Sequence, residues 1–281
     1  MTPDNLTEEQ TQYATNIKKI YVFSFFSMFL IIIPVIVPFF LDIGLNMKEV
    51  FQVQAIFGLS IAILEVPSGY VADLIGRKKM IVLGSLFAGI AFQWLYFVDS
   101  FIDLVIFEII LAFAESFISG SDVSILYDSL NHVNNDRDAR TKAMANIQLS
   151  EATAESIGSV IGGMLVNISF KAVLLAQTII GWVPFFISLT LKEPSYKKMN
   201  TESHLKNVKK ILSHLFKSER LLTLIFLNYI IWGLSSFTAV WIFQKYWQEG
   251  NIPLYYFGFL WAGYNLTVGF SGKLVHRLEN K

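Results

Sequence analysis

The chain has 281 residues, of which 54% are hydrophobic and 16% charged, whereas soluble domains carry about 25% charged residues. Lys and Arg balance Asp and Glu at 22 each, so no overall charge draws the chain to nucleic acid. Cysteine is absent, which excludes disulfides, thiolate nucleophiles and cysteine-based metal sites. The composition therefore predicts an all-α protein embedded in a membrane.

Eight stretches are apolar and long enough to cross a bilayer as a helix, which takes about 20 residues. They are residues 20–41, 49–71, 80–98, 102–127, 146–166, 170–191, 221–243 and 254–275. Residues 1–19 are polar and lack the pattern of a cleaved signal peptide. The first span is therefore expected to direct its own insertion.

The charges between these spans predict their orientation. All but three of the 22 Lys and Arg residues fall on one side of the predicted membrane, and the exceptions are Lys48, Lys171 and Lys245. Since positive charge is enriched in cytoplasmic loops, we expect both termini in the cytoplasm of a multi-pass protein of the plasma membrane. An even number of spans agrees with this assignment.

A long polar segment divides the chain. Residues 192–220 form a predicted cytoplasmic linker, and its stretch HLKNVKKILSHLFK places leucines opposite lysines at helical spacing, which is typical of a helix on the membrane surface. We therefore predict a cytoplasmic segment at 1–19, a six-helix lobe at 20–191, the linker, and a two-helix region at 221–281.

Charged residues interrupt the apolar chain between the second and third spans, in LEVPSGYVADLIGRKKM at residues 64–80. This stretch resembles the signature loop of the major facilitator superfamily, and the residues that carry the resemblance are Gly69, Ala72, Asp73, Gly76, Arg77 and Lys78. Its place between the second and third spans, on the predicted cytoplasmic side, also fits. EVPSG from Glu65 and SGSDVSILYDSL at 119–130 resemble the drug and multidrug efflux subgroup.

The resemblance implies a transporter of twelve helices in two six-helix lobes, which rock about a central site and expose it to either side in turn. This chain would supply the first lobe and two helices of the second, with four helices of the C-terminal lobe missing. A fragment, a truncated gene and a native eight-helix form are all open. A non-transporting relative that serves as a sensor or assembly partner is the alternative function.

In the family, the signature loop acts as a latch between the lobes. The resemblance implies that Asp73 meets the second lobe and that Arg77 pairs with an acid at the end of the fourth helix, for which Asp128 is the candidate here. The alternative to a latch is that the positive charges of Arg77, Lys78 and Lys79 only set the orientation of the chain in the membrane.

The fourth span carries Glu108, Glu115 and Asp122 at intervals of seven residues, which is close to two turns and places them on one helix face. Carboxylates inside a membrane are rare and mark ion or proton paths. Glu115 lies nearest the midplane and is the first candidate for proton coupling, followed by Asp122. Glu108 is either functional or a solvated residue at the helix end.

Two further carboxylates are candidates for transport or proton coupling. Glu65 of the second span shares a face with small residues that look like close-packing positions, Gly58, Ala62 and Gly69, so a structural hydrogen bond competes with a cargo role. The other candidate is Glu155 of the fifth span.

Downstream of Glu155, the glycines Gly158, Gly162 and Gly163 resemble the antiporter motif of drug exporters, although Ser159 replaces its proline. The resemblance implies that helices pack tightly near the cavity.

Aromatic residues of the seventh span are the last candidates. Trp232, Trp241, Gln244 and Tyr246 could line a cavity for a lipophilic cargo, and interfacial anchoring is the better expectation for all except Trp232. No motif for catalysis, a metal ion or a cofactor is present. We therefore expect a transporter rather than an enzyme, with a small, lipophilic or cationic solute and protons as its partners.

Overall fold

The computed structural model describes residues 7–133, 137–194 and 220–279, and this part of the chain contains helices and no strand. The helices are α1 (Glu8–Ser27), α2 (Ile36–Asp42), α3 (Met47–Ile75), α4 (Arg77–Leu95), α5 (Phe101–Ile118), α6 (Ser121–Val133), α7 (Arg137–Leu165), α8 (Phe170–Gly181), α9 (Val183–Leu189), α10 (Arg220–Glu249) and α11 (Leu254–Glu279). A 3-10 turn, Ile33–Val35, precedes α2.

The helix bundle has two distinct ends. The signature-loop end carries the α3–α4 turn at Gly76, the start of α1 and the segment after α9, where Asn16 Nδ2 donates to Ser129 Oγ at 2.9 Å. The opposite end carries the starts of α3, α5 and α8, and each of these helices is capped by a side-chain oxygen, from Asn46, Ser100 and Ser169. These caps satisfy N–H groups that a helix leaves unpaired at its start.

By length and composition, four helices in the described part of the chain can cross a membrane: Met47–Ile75, Arg77–Leu95, Phe170–Leu189 and Leu221–Glu249. They correspond to the second, third, sixth and seventh predicted spans. The chain is thus a helical multi-pass membrane protein, as the sequence predicts.

The first span, predicted at 20–41 with kinks at Pro34 and Pro38, is broken rather than only kinked. Helix α1 begins at Glu8, within the polar segment, and ends at Ser27; the chain then passes through a break and the 3-10 turn before α2 begins at Ile36. Pro34 and Pro38 lack the N–H that a continuous helix requires, which accounts for the break.

The fourth span is also divided, between α5 and α6. Ser119 is extended, with ψ 127°, and Gly120 has φ +73°, a backbone conformation that favours glycine. The prediction that Glu108, Glu115 and Asp122 share one continuous helix is therefore wrong, because Asp122 begins a second helix. The sixth span is interrupted as well, at Trp182 before Pro184.

Helices α1–α9 pack into one lobe, in which α3 and α4 both lie against α5 and α1 lies against α6 and α7. Helices α10 and α11 join this lobe at three places: α11 packs along α7 and on the 3-10 turn, and α10 packs on α2. These contacts form the interface between helices α1–α9 and the last two helices. Residues 195–219 lie outside the described part, and so does the predicted surface helix of the linker.

Candidate functional site

A cavity of about 440 Å³ lies at the centre of the bundle. Its walls come from the broken first span and from α3, α4, α5, α8, α9 and α10, and its lining includes the aromatic residues Phe26, Phe57, Phe92, Phe107 and Trp241. The volume is in the range of small-molecule sites. The cavity therefore has the size and the apolar character of a binding site for a small organic molecule.

Three of the carboxylates singled out in the sequence line this cavity: Glu65, Glu108 and Glu115. No Lys or Arg is among its lining residues. The structure thus brings together acidic groups from α3 and α5 in an apolar space without a protein cation facing them there. Such a cavity favours a positively charged guest over a negatively charged one.

Glu108 lies inside the bundle rather than at a solvated helix end. It is 3% exposed, and Gln54 of α3, which is 4% exposed, donates from Nε2 to Glu108 Oε1 at 2.7 Å. This contact joins α3 to α5. The alternative of a solvated residue is therefore wrong for Glu108 in this structure.

Glu115 lies on the cavity wall two turns further along α5, and no described residue donates a hydrogen bond to its side chain. It interacts electrostatically with Asp122, which is half-buried on α6 and does not line the cavity. Asp122 Oδ1 accepts from the Val123 N–H at 2.7 Å. The two acids are thus neighbours, although a helix break separates them.

Glu65 is exposed and reaches the helix break, where Ser119 Oγ donates to its Oε1 at 3.1 Å. The close-packing role predicted for its helix face is not present. A Cβ placed on Gly58 or on Gly69 would meet nothing within 4 Å. In this structure that face of α3 is open, and the prediction of tight packing there is wrong.

Glu155 is half-buried and does not line the cavity. Its Oε1 accepts a hydrogen bond from Trp261 Nε1 of α11 at 2.8 Å, so it joins the six-helix region to α11. Its neighbour Glu151, which the sequence analysis did not select, interacts electrostatically with Glu115, Asp122 and Glu155. Helices α5, α6 and α7 thus place four acids near one another.

Two buried glutamines provide hydrogen bonds to the backbone at the break in the first span. The sequence analysis found no role for Gln177, and it considered Gln244 only as a cavity-lining or anchoring residue. Gln177 of α8, 1% exposed, accepts from the Ile31 and Ile32 N–H groups at 2.6 and 3.2 Å. Gln244 of α10, fully buried, accepts from Val37 N–H at 3.0 Å and donates to the Ile33 carbonyl at 2.9 Å.

The Gln244 side chain replaces one backbone hydrogen bond of the first span. An α-helix would bond the Ile33 carbonyl directly to the Val37 N–H, and the Gln244 amide is inserted between these two groups instead. Buried backbone groups without a partner are costly, so each glutamine stabilises the break. Gln177 does this within the lobe, whereas Gln244 does it from the other side of the interface with α10. The prolines at 34 and 38 were the sequence signal that such partners are needed.

The three glycines singled out in α7 do pack closely. A Cβ on Gly158 would lie 3.3 Å from the Leu30 nitrogen, and one on Gly162 would collide with the Ile31 carbonyl oxygen, both in the broken first span. A Cβ on Gly163 would lie 2.6 Å from the Tyr255 carbonyl oxygen of α11. These glycines therefore let α7 approach the first span on one side and α11 on the other.

At the signature-loop end, Arg77 Nη1 bonds Asp128 Oδ2, so the structure brings together the pair expected from the sequence. Gly76 has φ +100° and forms the tight turn between α3 and α4. Asp73 is half-buried on the last turn of α3, and Lys78 is half-buried at the start of α4.

Glu193 completes this end and was missed in the sequence. Its Oε1 accepts from the Arg77 N–H at 3.0 Å and its Oε2 from the Lys78 N–H at 2.7 Å. A carboxylate at a helix start satisfies unpaired N–H groups and complements the helix dipole. Its position beside Lys192, in a segment that we treated as a linker, concealed this role.

The sequence analysis chose the wrong tryptophan of α10 as the residue that lines the cavity. Trp232 is 68% exposed, whereas Trp241 is 8% exposed, lines the cavity and stacks on Phe40 with ring centroids 6.4 Å apart. Tyr246 is exposed, as expected for an anchoring residue. The packing of α10 on α2 decides which tryptophan is buried, and helical spacing alone does not reveal it.

A helical multi-pass membrane protein with a central, acidic and aromatic cavity is the class that fold and site define. The family model described as Major Facilitator Superfamily matches residues 20–281. The chain therefore belongs to the major facilitator superfamily, which is a family of transporters rather than enzymes.

A curated relative, the uncharacterized MFS-type transporter YxaM of Bacillus subtilis (strain 168), is 28% identical over 215 residues, which make up 74% of this chain and 50% of the relative. The chain thus spans about half the length of the curated relative that it matches. The membrane family expected from the signature loop is confirmed, while the subgroup and the division into six and two helices stay predictions.

Proposed function

We propose that this protein is, or is part of, a secondary active transporter that works by alternating access and exports a small, lipophilic or cationic solute in exchange for protons. The observation that carries the proposal is the central cavity, which combines aromatic walls with three carboxylates and has no Lys or Arg in its lining. Acidic groups inside a membrane are costly and are retained where ions or protons are handled.

Glu115 is the proposed proton site. It lies on the cavity wall, without a hydrogen-bonded partner among the described residues and beside a second acid, Asp122. A proton on Glu115 removes the repulsion between the two groups, and a cationic cargo in the cavity does the same. Binding of the proton and binding of the cationic cargo would therefore oppose each other, which is the requirement for exchange.

The contacts between α10 and the first span support a conformation in which the cavity is closed on one side of the membrane. Helix α10 contacts the first span only near its C-terminal part, around Trp241 and Gln244, and its side chains nearer the signature-loop end are exposed. With the signature loop in the cytoplasm of a plasma-membrane protein, as the charge distribution predicts, these contacts support a conformation that is closed toward the outside, with access to the cavity from the cytoplasm.

The signature loop fits the latch role in this scheme. Arg77, Asp128 and Glu193 fix the turn between α3 and α4, and this rigid turn would present Asp73 to the second lobe when the cytoplasmic side closes. Export is supported by the close-packed glycines of α7, which resemble the antiporter motif.

Flux measurements in proteoliposomes test the proposal. The protein is reconstituted, a pH gradient is applied, and movement of a lipophilic cation such as ethidium is followed for wild type and for Glu115→Gln. We expect gradient-driven flux in wild type and its loss in the variant. Equal flux by both would contradict the proton site, and no flux from either would favour a non-transporting sensor or assembly partner.

A further inference from the structure

Glu108 and Gln54 are hydrogen-bonded to each other through one oxygen of the Glu108 carboxylate, which leaves the other oxygen available. One carboxylate oxygen is held by the Gln54 amide at 2.7 Å, and no described residue bonds the other oxygen. Both side chains are more than nine-tenths buried, and both line the cavity. The amide thus fixes the orientation of a carboxylate whose remaining hydrogen-bonding capacity is directed to the cavity.

A purely structural contact between α3 and α5 does not account for a charged residue here. Two glutamines could form the same hydrogen bond without the cost of placing an ionisable group in an apolar site. No Lys or Arg lines the cavity to offset that cost. A cation that enters the cavity would supply the missing partner.

The surroundings of Glu108 define the kind of cation. Phe107, 2% exposed, and Phe92 line the same cavity with ring centroids 6.2 Å apart, and Trp241 lies on its wall. Aromatic faces attract cations and pack against flat apolar groups. The site thus combines a hydrogen-bond acceptor of negative charge with an aromatic wall.

We infer that Glu108 binds the ammonium nitrogen of an aromatic amine cargo and that Gln54 is the positioning residue for its carboxylate. This inference rests on the proposed function, and it separates two tasks. Glu108 recognises the cargo, whereas Glu115, about 10 Å further along α5, carries the proton.

Equilibrium binding without a proton gradient tests this assignment. The probes are 1-naphthylmethylamine, which is positively charged at neutral pH, and 1-naphthylmethanol, which has the same aromatic body and no charge. Binding of each to the purified chain is measured by equilibrium dialysis. We expect wild type to prefer the amine and Glu108→Gln to lose roughly tenfold or more of that preference, as expected when a charged hydrogen bond is removed.

Gln54→Leu tests the positioning role. It is expected to weaken amine binding and to leave alcohol binding unchanged in the wild-type background, and to have no further effect on the preference in the Glu108→Gln background. A role in folding alone would lower the binding of both probes together. Glu108→Gln keeps a hydrogen-bond acceptor for Gln54 and removes an ionisable group from an apolar site, so its unfolding temperature should be no lower than that of wild type.

The outcomes separate this inference from the proposed function. Wild-type preference for the amine that disappears in Glu108→Gln supports the inference even if no flux is seen. An equal preference in both proteins, or none in wild type, overturns it even if proton-driven flux is present. Asp42→Asn removes an exposed carboxylate that does not line the cavity; it serves as the matched carboxylate control and should retain the amine preference.

Discussion

The interface between helices α1–α9 and helices α10 and α11 differs at its two ends. Toward the opposite end, Gln244 is bonded to the first span, Trp241 stacks on Phe40, and Gly163 lies against α11. Toward the signature-loop end, the described side chains of α10 from Leu221 to Phe237 are almost all exposed. The same helix is therefore tightly held at one end and unpacked at the other.

This difference shows how the structure separates stability from movement. Contacts within the lobe, such as Gln177 on the first span and Glu193 on α4, hold the walls of the cavity together. Contacts across the interface, such as Gln244, hold the cavity closed at one end. Mutations of the first kind should change the free energy of unfolding, and those of the second kind should change the conformation.

The largest expected effect is that of Gln177→Leu. It leaves the Ile31 and Ile32 N–H groups without an acceptor in a buried site, and each unpaired group costs about 1–3 kcal/mol, so the loss should be roughly 2–6 kcal/mol. Thermal unfolding in detergent, followed by tryptophan fluorescence, measures it. Gln148→Leu, at an exposed position of α7, is the matched control and should unfold like wild type. Equal unfolding of both variants would contradict the role of Gln177.

Gly162→Ala should have the next largest effect. Its new Cβ would collide with the Ile31 carbonyl oxygen, and forced overpacking costs about 1–3 kcal/mol. Gly58→Ala is the control, because open space surrounds that position and alanine favours a helix over glycine by about 0.5–1 kcal/mol. The two substitutions should therefore shift the unfolding temperature in opposite directions. A shift in the same direction would show that the packing difference between these glycines has no energetic weight.

Glu193→Ala should have a smaller effect. It removes both acceptors at the start of α4, and loss of such a cap costs about 1 kcal/mol. Glu193→Gln retains one acceptor oxygen and should lose about half as much. The unfolding temperature and its dependence on salt measure both variants. If neither differs from wild type, the carboxylate does not stabilise this end of the lobe.

The sequence was sufficient for the helical class, the family and the acids of the cavity, because each depends on local signals: apolar length, a compact motif and charge within apolar spans. The pairing of Arg77 with Asp128 also followed from the resemblance. The helix breaks at residues 28–32 and 119–120 were missed. Apolar composition continues through the first, and the Ser119–Gly120 pair at the second was included in one long span.

The partners at those breaks could not be read from local patterns. Gln177 and Gln244 are ordinary polar residues in sequence, and their importance comes from the backbone groups that they meet across the bundle. The choice of Trp232 over Trp241 failed for the same reason. Contacts between distant segments decide these points.

The central claim is that Gln244 holds the cavity closed at the opposite end. Because the chain has no cysteine, Ser119→Cys places a single thiol at an exposed position of the cavity wall, and a membrane-impermeant thiol reagent can be added to either side of oriented vesicles. We expect labelling mainly from the signature-loop side. Adding Gln244→Leu should raise labelling from the opposite side, whereas adding Gln177→Leu should not. Equal labelling from both sides without Gln244→Leu, or no change on adding it, would contradict the claim.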